Sequence, residues 1–181
     1  MPVYNDASEI QIHRASDADL PVAERLWLMF RHEMSEFTGA LPNPDGTFRS
    51  ERLQSAFTGD PDWAAYLVMS GDAPVGLALV RSLTAPTRVL NSFFIVRAAR
   101  QRGIGLRAVR EIVTLHPGRW EVAFQDANVT AVRFWRGVAR QLAPDSWTEE
   151  RRLSPQRPDL PPDVWISFDT SVKAQCPSEA G

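Results

Sequence analysis

The sequence predicts a single α/β domain, and three observations support that prediction. Strand-like and helix-like segments follow one another along most of the chain, and one short apolar strand leads through a glycine-containing loop into a helix. At 181 residues the chain is long enough to bury one core and short for two. We assign residues 1–170 to this domain and residues 171–181 to a disordered tail.

The first half of the chain is predicted to hold one strand, two helices and a hairpin. Apolar residues recur at intervals of three and four between Trp27 and Phe37, which indicates a helix with one buried face. The glycine and proline between 70 and 74 are typical of a turn and predict a hairpin around it. The predicted elements are a strand over 9–14, helices over 20–37 and 48–57, and strands over 64–69 and 75–83.

The second half is predicted to alternate strands with helices and to end in two strands. His116, Pro117 and Gly118 end one predicted helix, and a polar run before Val129 can cap the next. Prolines between 154 and 162 indicate a connection. The predicted elements are strands over 91–96, 120–125, 147–153 and 164–170, a helix from 106 that ends before 116, and a helix over 129–141.

The loop from Arg100 to Gly105 is predicted to bind phosphate. Its glycines carry no Cβ, so the backbone can approach a ligand, and the first turn of the following helix has unpaired N–H groups. The helix dipole and the arginines at 100 and 102 add positive charge. A tight turn followed by a solvated arginine face is the alternative.

Two common phosphate motifs do not fit this loop. A P-loop needs a lysine and a hydroxyl residue directly after its second glycine, and neither follows Gly105. The spacing from Gly103 to Ala108 fits a dinucleotide fingerprint, but that fingerprint follows the first strand closely and precedes several strand–helix units. The chain after Ala108 is too short for them.

A second motif follows the next predicted strand, where Asn128 stands at the start of a helix. Alone, Asn128 is read as a plain helix cap. Together the two motifs resemble the Arg/Gln-x-x-Gly-x-Gly/Ala loop and the Asn-x-x-Ala-x-x-Phe-Tyr helix of the GNAT superfamily of acyl-CoA-dependent N-acetyltransferases, over roughly residues 9–142. The residues that carry the resemblance are Arg100, Gly103, Gly105, Asn128, Ala131, Phe134 and Trp135.

The resemblance implies the GNAT fold, a mixed and mostly antiparallel sheet of about seven strands that is flanked by helices and splayed between strands 4 and 5. It implies acetyl-CoA as co-substrate, with pantetheine in the split, pyrophosphate on the loop N–H groups and added charge from the Arg100 side chain. Arg97, Arg102 and Arg107 stay open as partners of the 3′-phosphate. The implied cofactor-binding residues are Phe94, Ile95, Val96, Arg100, Gln101, Arg102, Gly103, Ile104, Gly105, Leu106, Asn128 and Phe134.

Two positions depart from the family's pattern. Trp135 stands where the family often has a tyrosine acid, and an indole N–H does not give up its proton at neutral pH. Asn91 and Ser92 stand where the family often has a glutamate, and neither accepts a proton at neutral pH. Glu33 on the first predicted helix is our candidate for the missing general base, with a solvated helix position as its alternative.

The resemblance therefore implies transfer of an acetyl group from acetyl-CoA to a primary amine of a small molecule, by direct attack on the thioester. The alternative is a non-catalytic acyl-CoA-binding or regulatory module with a degenerate site. Pairing as a homodimer is a further implication of the family. The acceptor's identity and the 3′-phosphate partner are not fixed by the sequence.

Composition agrees with a cytoplasmic enzyme. A net charge of −2 gives no sign of a nucleic-acid or membrane partner. Apolar runs are short, and no signal segment is recognisable at the start. The single cysteine, Cys176, cannot form an internal disulfide, and no metal ligand set is predicted.

Overall fold

In the computed structural model, which describes residues 10–153 and 160–171, seven strands and four helices follow one another. Residues 154–159 of the predicted connection, and the predicted tail beyond Ser171, lie outside the described residues. In chain order the elements are β1 (Ile10–Arg14), α1 (Leu20–Thr38), α2 (Glu51–Ser55), β2 (Ala64–Ser70), β3 (Ala73–Arg81), β4 (Thr87–Ile95), α3 (Ile104–Leu115), β5 (Arg119–Phe124), α4 (Val129–Leu142), β6 (Trp147–Arg152) and β7 (Asp163–Asp169).

The strands form one mixed sheet in the order β1-β2-β3-β4-β5-β7-β6. Every neighbouring pair is antiparallel except β4 and β5, which run parallel. These two strands pair only where Thr87–Val89 lies beside Arg119–Glu121. Past those pairs, Leu90–Ile95 and Val122–Phe124 have no register with each other, and we call the gap between them the wedge. The predicted sheet and its split are confirmed.

Helices cover both faces of the sheet. On one face α3 and α4 pack against alternate residues of β5 and β7, with Trp120, Val138 and Ile166 fully buried. On the other face α1 and α2 cover β2, β3 and the end of β4 near Phe94, through Leu26 and Leu53. Because side chains alternate across a strand, the central strands contribute to both cores.

The helix α1 has clear limits at both ends. Proline stands in its first turn, where a missing N–H costs no helical hydrogen bond. Gly39, with φ 64°, ends it in the left-handed conformation and donates its N–H to the Ser35 carbonyl at 2.9 Å. The predicted helix over 20–37 is thus present almost residue for residue.

Two elements differ in length from their predictions by three residues or more. The second helix spans only Glu51–Ser55, because the chain before it is tied to α1 by the Trp27 indole, which donates to the Arg49 carbonyl at 3.0 Å. β4 begins at Thr87 because its first residues pair with β5, and pairing with β3 joins only from Val89 onward, a non-local arrangement. In the described part of the chain, no helix has the length and apolar character needed to cross a membrane.

Candidate acetyl-CoA site

The loop between β4 and α3 turns sharply through two left-handed residues. Gln101 has φ 63° and Gly103 has φ 74°, and Gly103 is the residue that precedes the helix. Left-handed backbone suits glycine and is uncommon for glutamine. Such turns at the start of a helix collect backbone N–H groups into a concave surface that favours anions.

The loop leaves six successive backbone N–H groups unpaired among the described residues, from Gln101 to Leu106. The N–H before them, that of Arg100, donates to the Arg97 carbonyl, and the N–H after them, that of Arg107, donates to the Gly103 carbonyl at 3.0 Å. Unpaired backbone donors are costly to bury and need water or a ligand. The run coincides with the residues that the sequence predicted for the pyrophosphate.

The two glycines of the loop serve different purposes. A Cβ on Gly103 would meet no atom within 4 Å, so its need for glycine comes from the left-handed backbone and from space left open for a ligand. A Cβ on Gly105 would lie 3.1 Å from the Phe134 ring, tighter than ordinary contacts between packed carbon atoms. Gly105 therefore lets α3 and α4 approach each other.

After Asn91, every second residue of β4 directs its backbone N–H and C=O groups toward the wedge. The Val96 N–H donates to the Val75 carbonyl at 2.8 Å, so the backbone groups of Val96 and Phe94 point toward β3. Ile95, between them, directs its backbone groups toward the wedge. Of the three strand residues predicted to contact pantetheine through their backbones, only Ile95 has this orientation, since alternation turns the other two away.

An aromatic cluster joins β4 to α4. Phe134 stacks on Phe93 with ring centres 5.7 Å apart, and Trp135 packs edge-on against both rings. Trp135 is 5% exposed and belongs to the main core. Asn128 caps α4, since its Oδ1 accepts the Ala131 N–H at 3.0 Å. These contacts give Trp135 and Asn128 structural roles beside any contact with a cofactor.

The Arg100 side chain does not lie over the loop N–H groups. Its Nε donates to the Ile95 carbonyl at 2.7 Å, and its Nη2 donates to Glu33 of α1 at 2.6 Å. Arg97 donates to the other Glu33 oxygen at 2.8 Å. The positive charge that the resemblance placed at the pyrophosphate is therefore paired with the Glu33 carboxylate instead.

The two remaining arginines of this region, Arg102 and Arg107, differ in whether other residues hold their side chains. Arg107 pairs with Glu111 at 2.9 Å and donates to the Ile10 carbonyl at 3.1 Å. Arg102 is exposed, and among the described residues no hydrogen bond or ion pair holds its side chain. Among the three arginines predicted to compete for the 3′-phosphate, Arg102 is the available one, because Arg97 is held by Glu33.

Glu33 is a weak base in this environment. Burial works to raise the pKa of its carboxyl, but the hydrogen bonds and charges of Arg100 and Arg97 outweigh burial and lower the pKa. A carboxylate held this way stays ionised at neutral pH and accepts a proton poorly. These contacts argue against the general-base role predicted for Glu33.

A polar cluster around Glu121 lies on the face of β5 opposite α4, and the sequence did not predict it. Glu121 accepts two hydrogen bonds from Arg152, at 2.9 and 3.2 Å, and one from Ser167 at 3.1 Å. Arg152 also lies over the Trp165 ring, 4.7 Å from its centre. The hydrogen bond from Arg152 lowers the pKa of Glu121 despite partial burial. The alternation of Glu121 with buried Trp120 could have placed Glu121 on the other face of β5. Its partners could not be predicted, because they lie 31 and 46 residues away in the sequence.

At the apex of the wedge β4 carries a bulge. Ser92 pairs with Leu79 and Leu90 pairs with Val80, so Asn91 is the extra residue. Ser92 is buried, and its hydroxyl lies 3.4 Å from the Asn91 side-chain oxygen. Bulges redirect side chains and interrupt pairing. Here the bulge marks the level at which β4 and β5 part.

Solved structures with this fold are numerous and distant in sequence. An acetyltransferase from Thermus thermophilus superposes with a TM-score of 0.63 at 17% identity, covering 88% of this chain and 96% of that one. The ribosomal-protein-S18-alanine N-acetyltransferase from Escherichia coli gives 0.64 at 12% identity, covering 92% and 97%. The aminoglycoside acetyltransferase AAC(6')-Ib, in complex with ribostamycin and coenzyme A, gives 0.66 at 14% identity, covering 96% and 100%.

Sequence comparison identifies the family. No curated protein sequence matches the chain. The family model for acetyltransferases of the GNAT family matches residues 26–138, which include β4, the loop, α3, β5 and most of α4. The chain therefore belongs to the GNAT family of acetyltransferases.

Proposed function

We propose that this enzyme transfers the acetyl group of acetyl-CoA to a primary amine of a small molecule in the cytoplasm, by direct attack of the amine on the thioester. The observation that carries the proposal is the run of six unpaired N–H groups from Gln101 to Leu106, beside the wedge. An anion cradle and an open strand edge in one place suit a long ligand that has phosphate at one end and amides along its length.

The residues present fit that ligand. The loop N–H groups supply donors for a pyrophosphate, and Gly103 leaves the approach clear. Arg102 supplies the available positive charge that Arg100 does not. Ile95 offers a backbone N–H to the wedge, which can donate to an amide or polarise a carbonyl.

When bound, acetyl-CoA supplies a thioester whose carbonyl carbon an amine can attack, with CoA thiolate as the leaving group. The protein's contribution is then to orient the amine toward that carbon. Glu121 and Trp165 present an anionic and aromatic surface on the face where β5 leaves β4, and we assign the acceptor to that face.

Removal of the amine's proton does not use a carboxyl group of the protein in this proposal. The pKa values of Glu33 and Glu121 are both lowered by arginine partners, so both are poor bases at neutral pH. The proton leaves to water, and Trp135, buried in the core, provides no acid for the thiolate.

Calorimetric titration with CoA, beside a thiol-release screen of acetyl-CoA with a panel of small amines, tests the proposal. Saturable CoA binding together with turnover of at least one amine supports it. CoA binding without turnover across a broad panel would instead favour the regulatory module, for which the paired carboxylates and Trp135 are the specific motive. Absence of CoA binding would contradict both functions.

A further inference from the structure

A partly buried ion-pair network connects α1 to the end of β4 and to the cofactor loop. We call it the Glu33 brace, made of Glu33, Arg97, Arg100 and the Ile95 carbonyl. The Glu33 side chain is 22% exposed and that of Arg100 is 33% exposed, whereas that of Arg97 is 76% exposed. The inner arm through Arg100 is therefore the sheltered one, and its bonds of 2.6 and 2.7 Å are short for N–H···O contacts.

The inner arm uses the shape of the guanidinium group. The Nη2 of Arg100 reaches Glu33 and its Nε reaches the Ile95 carbonyl, while the group lies 5.7 Å from the centre of the Phe94 ring. Phe94 in turn packs 6.2 Å from Phe30 of α1. A planar group with fixed donors can hold a carboxylate and a carbonyl at once, and an ammonium on a flexible stem cannot reproduce that geometry.

The loop beside the brace is an arrangement that needs support. Gln101 directly follows Arg100 and is left-handed, which is unfavourable for a residue with a side chain. The N–H groups after it repel one another electrostatically when they converge without a ligand. Such backbone persists where surrounding contacts fix it, and the brace is the contact that fixes the residue immediately before the turn.

We propose that Glu33 and Arg100 are positioning residues for CoA, which hold the loop N–H groups in their binding arrangement and do not contact the phosphates. The proposal rests on the proposed function, since CoA is the ligand in both. The proposal and simple electrostatics predict opposite changes in CoA affinity when Glu33 is replaced. Removing the negative charge of Glu33 would free two arginines and strengthen binding of an anion, whereas loss of a brace would weaken it.

The Glu33→Gln variant tests that sign by calorimetric titration with CoA. We expect CoA affinity to fall about five- to tenfold, in line with loss of charge-assisted hydrogen bonds. Glu36→Gln is the matched control, because it removes the same charge from an exposed position nearby on the same helix. Its CoA affinity should equal that of the wild type or exceed it slightly. Equal or tighter binding by Glu33→Gln would overturn the brace.

Arg100→Lys provides a second test that keeps the charge at the loop unchanged. We expect a similar loss of CoA affinity, with a folded protein shown by circular dichroism and a cooperative melting curve. Wild-type affinity in this variant would overturn the brace even if Glu33→Gln fails to fold. If the wild type binds CoA and both variants bind it equally well, the positioning role is wrong and the proposed function stands. If the wild type does not bind CoA, the proposed function is wrong as well.

Discussion

Two regions next to the wedge are built on opposite principles. On the cofactor side, the loop after β4 presents backbone N–H groups that no described residue satisfies. On the side of the sheet around Glu121, charged side chains lie close together, and the carboxylate is matched by an arginine. One region holds unused binding capacity, and the other holds charges that already stabilise each other.

This difference indicates where each part of the function is determined. Backbone donors recognise phosphate whatever the side chains are, so the cofactor site survives wide changes of sequence. In the proposed function the acceptor side depends on side chains, and its ionised carboxylate serves orientation better than proton transfer. Catalysis as proposed therefore depends mainly on placing the two reactants.

The largest effect is expected from Gly103→Val, which attacks the cofactor side directly. The valine methyls would occupy the space above the loop and strain a backbone at φ 74°. We expect CoA affinity to fall more than about tenfold, measured by calorimetry. Gly59→Val is the control, since Gly59 has φ 77° with open space around it and lies in the turn before β2. Wild-type CoA affinity in Gly103→Val would show that the loop is not the binding site.

A smaller loss is expected from Arg102→Ala. Removal of this uncommitted charge should weaken CoA binding about three- to tenfold, and the loss should shrink at high salt because exposed charges are screened. The same change at Arg107, which pairs with Glu111, should matter less. Repeating the titration with 3′-dephospho-CoA shows whether the 3′-phosphate is involved. An equal effect of both variants would contradict the distinction between the two arginines.

The acceptor side is tested by the pH dependence of the rate, with any amine that proves to be acetylated. The pKa values of Glu33 and Glu121 are lowered by their arginine partners, so both carboxyl groups stay ionised at neutral pH. The rate should therefore rise with the free-amine fraction and show no step from a protein carboxyl. Glu121→Gln should change the KM for the amine and leave that rise in place. A step between about pH 5 and 8 that disappears in Glu121→Gln would assign the base to Glu121.

The smallest effect on activity is expected from Trp135→Phe. Trp135 packs against Phe93 and Phe134, so the change leaves a cavity that costs about 1–3 kcal/mol of stability. The melting temperature should fall while the shape of the pH–rate profile stays the same. Loss of a descending limb at high pH in the variant would instead show that Trp135 takes part in proton transfer.

The sequence predicted the parts of the fold that depend on local signals. The order of strands and helices, the limits of α1 and the glycine-containing turn before α3 follow from periodicity, caps and glycines, all within a few residues. The start of β4 was not predictable, because Thr87 joins the sheet through pairing with β5, which follows only after the whole of α3.

The site was predictable to a lesser extent for the same reason. The loop residues could be named from their own sequence, but the direction of the Arg100 side chain depends on Glu33, 67 residues before it. Likewise Arg152 of β6 reaches Glu121 of β5 across β7, and that contact depends on the order β5-β7-β6 in the sheet. Charge pairs between distant strands leave no periodic trace in a sequence.

The parting of β4 and β5 also bears on aggregation and thermal stability. Unpaired strand edges commonly invite strands of other molecules and lead to aggregation. Here the two free edges face each other within one molecule, so the protein keeps backbone groups available without presenting them outward. A ligand that occupies the gap completes the sheet. At a concentration about 100-fold above its dissociation constant it would add about 2.7 kcal/mol to the free energy of unfolding, which links the equilibrium stability of the folded enzyme to the supply of its own substrate.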